Sequence, residues 1–442
     1  MPASRSENMV DPKAQLSTRN AGTAPRPHVL ITSVVALNGG DAAILKAVVD
    51  SVSTAFDGKV GMTVLDRNAD VSSRLYPEFT FIRSAMETCR PTWGIGFLMR
   101  LVALFRALNL LVAALMVRLT GGRHVWIGLS AEQWHLLDLY RDCSAVVSTG
   151  GTMFVEKYNL VPHALGVWLG CIFAKPVILY TQSFEPVRKR RNRAIMYSIL
   201  ASAGIILVRG DQSRRIACDL GAPESRVTSL PDVVFRFGQT AQPRPARREP
   251  LIFISVRHWA YTSGGARAQE RYRAEIAKLC ARMVQAWSAK IVFISTCQGV
   301  PEYGLNDSAE AAEIWALLDE ATKKNVSVNH DFHRPEELMG ILGTGDAIVA
   351  TRLHACILAL CAGVPTIPVS YERKTEEVFG RISPDLNVQT FEQLEAEVLF
   401  AQIENELRNR EQRVSDLIDR VSEEAEESRR ADGLVKNLLC AS

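Results

Sequence analysis

Short runs of β-branched and apolar residues, each closed by a glycine or polar turn and followed by a helical stretch, recur along most of the chain. The first is His28-Val-Leu-Ile-Thr-Ser-Val-Val35; Asn38-Gly39-Gly40-Asp41 breaks it, and Ala42 to Val52 has helical composition. The same grammar returns at Ala145-Val-Val-Ser-Thr149 before Gly150-Gly151, at Val177-Ile-Leu-Tyr180 and at Gly204-Ile-Ile-Leu-Val-Arg-Gly210. A second series follows at Leu251-Ile-Phe-Ile-Ser-Val256, Lys290-Ile-Val-Phe-Ile-Ser295, Val326-Ser-Val328 and Ala347-Ile-Val-Ala350. Strands that are apolar throughout, rather than alternating, predict parallel sheets covered by helices on both faces.

Between the two series, residues 239–249 contain two prolines and no apolar periodicity, and read as a linker. The expected organisation is a disordered tail (1–27), an N-terminal α/β domain (28–238), the linker, a C-terminal α/β domain (250–389) and C-terminal helices (390–442). Two doubly wound, Rossmann-like domains would face each other across a cleft, with ligand beyond the carboxyl ends of the strands. Leu394, Val398, Ile403, Leu407, Val414, Leu417, Ile418 and Val421 recur at helical spacing, for a segment that packs across the domains or binds a partner.

An apolar insertion, 94–120, lies outside this plan. Leu101 to Val117 approaches the length of a membrane span, but Arg100, Arg106, Asn109 and Arg118 interrupt it. Three readings stand: a helix on the membrane surface or capping the cleft, a buried core helix, and a transmembrane helix. The basic run from Arg188 to Arg193 is either a solvated helix start or a grip for anionic lipid or a diphosphate.

Composition narrows the class. Hydrophobic residues are 47% and charged residues 22% of the 442, which describes globular material, and roughly 150 residues per domain allows two or three domains. A net charge of +3, from 51 basic and 48 acidic residues, gives no footprint for nucleic acid. The nine cysteines form no Cys-x-x-Cys pair, and residues 1–27 lack the apolar stretch of a secretory signal; both point to a cytoplasmic protein. His330 and His333 stand without a cysteine or carboxylate set, so no metal site is expected, and neither the serine-hydrolase elbow nor the phosphate-binding loop motif is present.

The chemistry-bearing residues cluster at strand exits. Asn38-Gly39-Gly40-Asp41 presents backbone N–H groups at a helix start, with Asp41 set either to cap that helix or to meet a substrate hydroxyl. Gly150-Gly151 repeats the arrangement. Arg209 ends an apolar strand and is either a salt-bridge partner or a fork for a carboxylate or phosphate. Thr351-Arg352-Leu353-His354 leaves a buried strand and enters a helix, where dipole, guanidinium and imidazole converge on one anion. Tyr371, Glu372 and Lys374 follow at the next exit, with surface charge as the plain explanation for Glu372 and Arg373.

Taken in order, these segments resemble the polysaccharide pyruvyl transferase family from about Val29 to Phe379. Asn38-x-Gly40-Asp41-x-Ala43 is similar to its first-strand motif and Ser148-Thr-Gly150-Gly151 to its second glycine turn. Gln182-Ser183-Phe184-Glu185-Pro186 is similar to its Gln-Ser-x-Gly-Pro, with Glu185 in place of glycine, and Arg209-Gly-Asp-Gln-Ser213 to its Arg-Asp-x-x-Ser, with a glycine inserted. The most specific match runs from Thr351-Arg352-Leu353-His354-Ala355 through Gly363-Val-Pro365 to Ser370-Tyr371 and Lys374. The resemblance implies a glycosyltransferase-B-like fold and transfer of the enolpyruvyl unit of phosphoenolpyruvate to a sugar hydroxyl pair, giving a pyruvate ketal and phosphate. The acceptor would be a polymeric or lipid-linked glycan, with no cofactor. It also implies donor binding by Arg209, Arg352 and His354, with Asn38, Gly40, Gly150, Gly151, Leu353 and Lys374 completing the binding set. His354 would move the proton and Asp41 would act as base. The alternatives are a nucleotide-sugar glycosyltransferase of the same fold, for which no ribose-binding pair is evident, and a non-catalytic descendant. Work at the inner membrane face, through 94–120 and 188–193, is a further expectation.

Overall fold

The computed structural model describes residues 26–91, 96–122, 128–238, 247–259 and 264–440. Most of the expected tail (1–27) and of the expected linker (239–249) lies outside them. The first sheet comprises β1 (His28–Val34), β2 (Gly61–Asp66), β3 (Phe81–Arg83), β4 (Ala145–Ser148), β5 (Val177–Gln182), β6 (Ile205–Val208) and β7 (Val227–Ser229), in the order β3-β2-β1-β4-β5-β6-β7. The second comprises β8 (Leu251–Ser255), β9 (Lys290–Phe293), β10 (Val326–Val328), β11 (Ala347–Ala350), β12 (Thr366–Ser370) and β13 (Gln389–Thr390), in the order β10-β9-β8-β11-β12-β13. All pairings are parallel. Strand order therefore reverses direction once in each sheet, between β1 and β4 and between β8 and β11, and such switch points open a crevice at the carboxyl edge.

The expected strands form because their side chains are buried on both faces. Val29, Leu30, Ile31, Ala145, Val146, Val147, Ile252, Ile254, Ala347, Ile348 and Val349 are almost wholly shielded. The strands β2, β3, β7 and β13 were not among those the sequence pattern marked, whereas the edge strand β10 was; the four that it did not mark are short or only partly buried, and the apolar signal fades accordingly.

The two sheets are fused by a shared apolar core. The helix Leu353–Cys361 carries eight buried residues and packs on the first helix, Gly39–Ala55, and on the turn Val233–Phe237, so that Ile44, Val233, Val234, Leu353 and Leu358 belong to one cluster. The C-terminal helix, Arg410–Cys440, returns to the N-terminal half. Val421, Ala431 and Val435 join the same core, while buried Arg236 donates to Asp50 at 2.9 Å and to Asp432 at 2.8 and 3.2 Å.

This last network predicts that the terminal helix carries stability for the whole chain. Asp432→Ala leaves Arg236 buried with only the exposed Asp50 as partner, and chemical denaturation should show a loss of about 2–3 kcal/mol. Unchanged stability would show that helix to be an ornament.

Candidate active site

The close approach of the two sheets begins with the turn after β1. Asn38 caps the first helix, accepting from Gly40 N at 3.0 Å through Oδ1 and donating from Nδ2 to Asp41 Oδ2 at 2.9 Å. The capping role left open for Asp41 thus falls to Asn38. Gly39 N donates to the carbonyl of Thr296, beyond β9, at 2.8 Å. Gly40 is pressed on His354: a Cβ at position 40 would stand 2.7 Å from His354 Nδ1 and 2.9 Å from its Cβ. Glycine is required here by contact with the opposite sheet.

The second glycine turn is held by its neighbours. Gln182 donates its side-chain amide to Thr149 O, and Ser183 N donates to Gly151 O at 2.9 Å. Gly151 has φ +124°, open to glycine alone, and a Cβ there would lie 3.9 Å from Asp41 Oδ1. Both β1 and β5 shift register at their carboxyl ends, with Ser33 (φ 63°) and Thr181 (φ 35°) in the left-handed region. Left-handed backbone at β-branched Thr181 is a strained conformation of the kind that gathers at sites.

Each predicted cation is matched to a buried carboxylate. Arg352 forks onto Asp307, Nε to Oδ2 at 2.8 Å and Nη2 to Oδ1 at 2.6 Å. Arg209 Nε lies 3.0 Å from Asp232 Oδ2, and His354 Nε2 reaches the same oxygen at 3.5 Å. Burial alone would raise the Asp232 carboxyl, but the Arg209 guanidinium and then His354 outweigh it and hold that group well below the usual carboxylate range. Lys374 lies 2.7 Å from Glu372, which also pairs with Lys157; burial would lower the lysine, yet Tyr371 and Glu372 drive it upward. Arg209 Nη2 remains a buried donor without a hydrogen-bond partner.

Asp41 stands among these groups. Burial raises its carboxyl, opposed in turn by His354, Lys374, Arg209 and Arg352, and the net direction is upward. Cations from the exits of β6, β11 and β12 therefore act on one carboxylate delivered by β1. Three helices start at those same exits, at Asp211, Leu353 and Arg373, none with a side-chain cap bond, so their N–H groups and dipoles add to the positive field.

The structure sharpens the expectation for Leu353: at 3% exposure its side chain is part of the apolar core and seats the helix, so what it can present to a ligand is its backbone N–H at the helix start. Four residues were missed: Asp232, Asp307, Lys157 and Arg257. Arg257 follows β8, and its guanidinium lies 4.2 Å from the Tyr371 ring and 4.6 Å from that of Trp259. Asp232 had a readable signal, since Leu230-Pro231-Asp232 closes a short strand just as the other exits do. Beside Lys374, a cavity of about 590 Å³ is lined by Lys157, Ser183, Glu185, Arg188 and Glu372, within the size range of small-molecule sites. Glu185, standing where the family motif has glycine, lies 3.5 Å from Lys157 at its wall.

Two parallel sheets abutting at their carboxyl edges, with buried cation–carboxylate pairs between them, define a glycosyltransferase-B-like α/β protein. HepE of Anabaena, solved with UDP and glucose, superposes with TM-score 0.55 over 94% of this chain and 100% of its own, at 9% identity. The UDP-GlcNAc 2-epimerase of Neisseria meningitidis gives TM-score 0.55 over 94% and 100%, at 11% identity. Likeness at such identities is one of fold. Residues 38–373 match the polysaccharide pyruvyl transferase family, and the chain belongs to that family. The amylovoran biosynthesis protein AmsJ of Erwinia amylovora is 24% identical over 259 residues, 55% of this chain and 61% of AmsJ, so the chain spans less than two-thirds of that relative's length.

The Gly40 contact gives a test of the geometry. Gly40→Ala should displace His354, lower kcat by at least about tenfold and cost about 1–3 kcal/mol of stability, because the added methyl overlaps the His354 ring and its Cβ, which is fixed to a packed helix. Asp307→Ala should destabilise more, by about 3–5 kcal/mol, since it leaves the Arg352 charge buried and unpaired. Equal stability of the two variants would contradict the assignment.

Proposed function

We propose that the protein transfers the enolpyruvyl group of phosphoenolpyruvate to two hydroxyls of a sugar in a polysaccharide or lipid-linked glycan, forming a pyruvate ketal and releasing phosphate. AmsJ belongs to the making of such a polymer, amylovoran, and a place in exopolysaccharide biosynthesis follows for this chain as part of the same reading. The observation that carries it is the convergence of Arg209, Arg352, His354 and Lys374 on Asp41, beside an uncapped helix start.

In this reading the trianionic donor lies over the N-terminus of Leu353–Cys361. Arg209 Nη2, the Arg352 amino group not engaged by Asp307, and the first N–H groups of the helix meet its phosphate and carboxylate. His354 protonates C3 of the enol ether, and Asp232, fixed as a carboxylate, orients the imidazole and stabilises its charged form. The resulting oxocarbenium-like C2 is attacked by one sugar hydroxyl, whose proton passes to Asp41. Phosphate leaves with the C2–O bond electrons, taking the proton held by Asp41, and a second hydroxyl closes the ketal by giving its proton back to His354, so both groups return to their starting states. Proton transfer and charge neutralisation suffice for this route, so it calls for no cofactor. The cavity beside Lys374 takes the acceptor, with Glu185 and Lys157 offering hydrogen bonds to hydroxyls.

Incubation with phosphoenolpyruvate and glycan acceptors should release phosphate and raise the acceptor mass by one pyruvate ketal, while UDP-sugars should give no product. Turnover with UDP-sugars alone would establish the nucleotide-sugar glycosyltransferase instead. His354→Ala should cost about 10²–10⁴ in kcat. Because Asp41 must be ionised to accept a proton and burial raises its carboxyl, kcat should fall on the acid side with a midpoint above the ordinary aspartate value of about 4. A profile flat down to that value would remove Asp41 as base.

A further inference from the structure

The apolar insertion forms one helix, Gly96–Thr120, and its two faces are reversed relative to a core helix. The face turned to the protein consists mainly of small residues: Ala103, Ala107, Ala113 and Ala114, with Leu110 and Val117, are buried. The bulky residues point outward. Phe97 is 75% exposed, Phe105 73%, Leu108 60% and Leu119 71%, and Leu101, Leu104 and Leu115 are each close to half exposed. At 100° per residue these outward positions fall on one continuous stripe opposite the alanines. A helix meant for the core would bury the leucines and leave the alanines outside.

The charges beside the stripe are of one sign. Arg100 and Arg118 are exposed at its edge, Arg106 lies on the opposite side of the helix toward Cys89, and the helix contains no acidic residue. It packs on the helix Val161–Ile172, and so does the helix Arg190–Ser202, whose basic start supplies Arg188, Lys189, Arg190, Arg191 and Arg193, all exposed. Among the described residues these five side chains form no ion pair. A second copy seated on this face would set arginine against arginine. A membrane-spanning pose would detach buried positions that run from Ala103 to Val117, and Arg118 Nη1, which donates to Ile172 O at 2.7 Å.

We propose that Gly96–Thr120 lies in the plane of an anionic lipid bilayer, its phenylalanine and leucine stripe in the interface and Arg100 and Arg118, with the basic start of Arg190–Ser202, on the lipid headgroups. Apolar burial supplies the affinity and the basic groups select anionic lipid. The anchor stands on the geometry of the helix alone and holds whatever the donor proves to be.

Flotation of the full chain with phosphatidylcholine vesicles, with and without phosphatidylglycerol, tests it. The wild type should float with the anionic vesicles, less so as salt rises. Phe105→Ser/Leu108→Ser/Leu115→Ser should lose at least about tenfold in binding at an unchanged melting temperature, since none of the three is buried. Absence of flotation with either vesicle, or undiminished binding by the triple variant, would overturn the proposal. So would a lipid-free wild-type dimer that the triple variant converts to monomer, because the face would then belong to a second copy.

Discussion

The site depends on one steric constraint, the absence of a side chain at position 40, where the β1 turn of the first sheet meets His354 of the second. Parallel sheets present their functional loops at one edge, so two such sheets can share a site only if those edges come within contact distance. Gly40 and the bond from Gly39 to Thr296 supply that distance, and the helix Leu353–Cys361 then fits its apolar body into the core of the first sheet. Closing the edges brings Asp41 from one half against Arg352, His354 and Lys374 from the other. The C-terminal helix secures the arrangement by returning to Arg236 and Asp50, far from the sheet that precedes it in sequence.

Once the edges are closed, charge becomes the governing problem. Arg209, Arg352 and Lys374 are largely withdrawn from water, and buried charges persist only with partners. Asp232, Asp307 and Glu372 provide them and fix each cation in place. The match is incomplete, since Arg209 Nη2 keeps an unused donor. A site with every donor satisfied would have nothing to offer an incoming anion. One with none satisfied would repel itself open. Pre-set dipoles and partly engaged guanidinium groups avoid reorganisation when negative charge arrives.

Much of this was legible in the chain, for definite reasons. Central strands such as Val29–Ile31 and Ile348–Ala350 are buried on both faces and leave unbroken apolar runs, and the Thr351-Arg352-Leu353-His354 exit stands out because it joins polar groups to an otherwise apolar stretch. Strands β2, β3, β7 and β13 were not seen, because partial burial or brevity dilutes the pattern. The partners of the arginines were hidden for another reason. Asp307 is 45 residues from Arg352, follows no central strand, and resembles an ordinary helix start after its cap Asn306. Leu353 was drawn into the binding set by its position between two polar residues, although its packing is that of the core. Adjacency in a motif says which backbone turn is shared, not which side chains face the ligand.

The apolar helix is where composition misleads most and packing informs most. By hydropathy Gly96–Thr120 is equally a span, a core helix or a surface helix, because all three are rich in leucine and phenylalanine. What separates them is the assignment of residue sizes to faces. Alanines at 103, 107, 113 and 114 let the helix backbone approach the domain closely, as small residues do at helix interfaces. That leaves the large side chains no protein surface to fill and places them where only an apolar medium lowers their free energy. The arginines set beside them keep their charge in water while their stems lie along the stripe, the behaviour of long basic side chains at an interface. The affinity of this face therefore arises from the first domain alone, whereas the chemistry of the cleft also draws Arg352, His354 and Lys374 from the second, and Arg188, on the cavity wall and in the basic run, stands where the two meet.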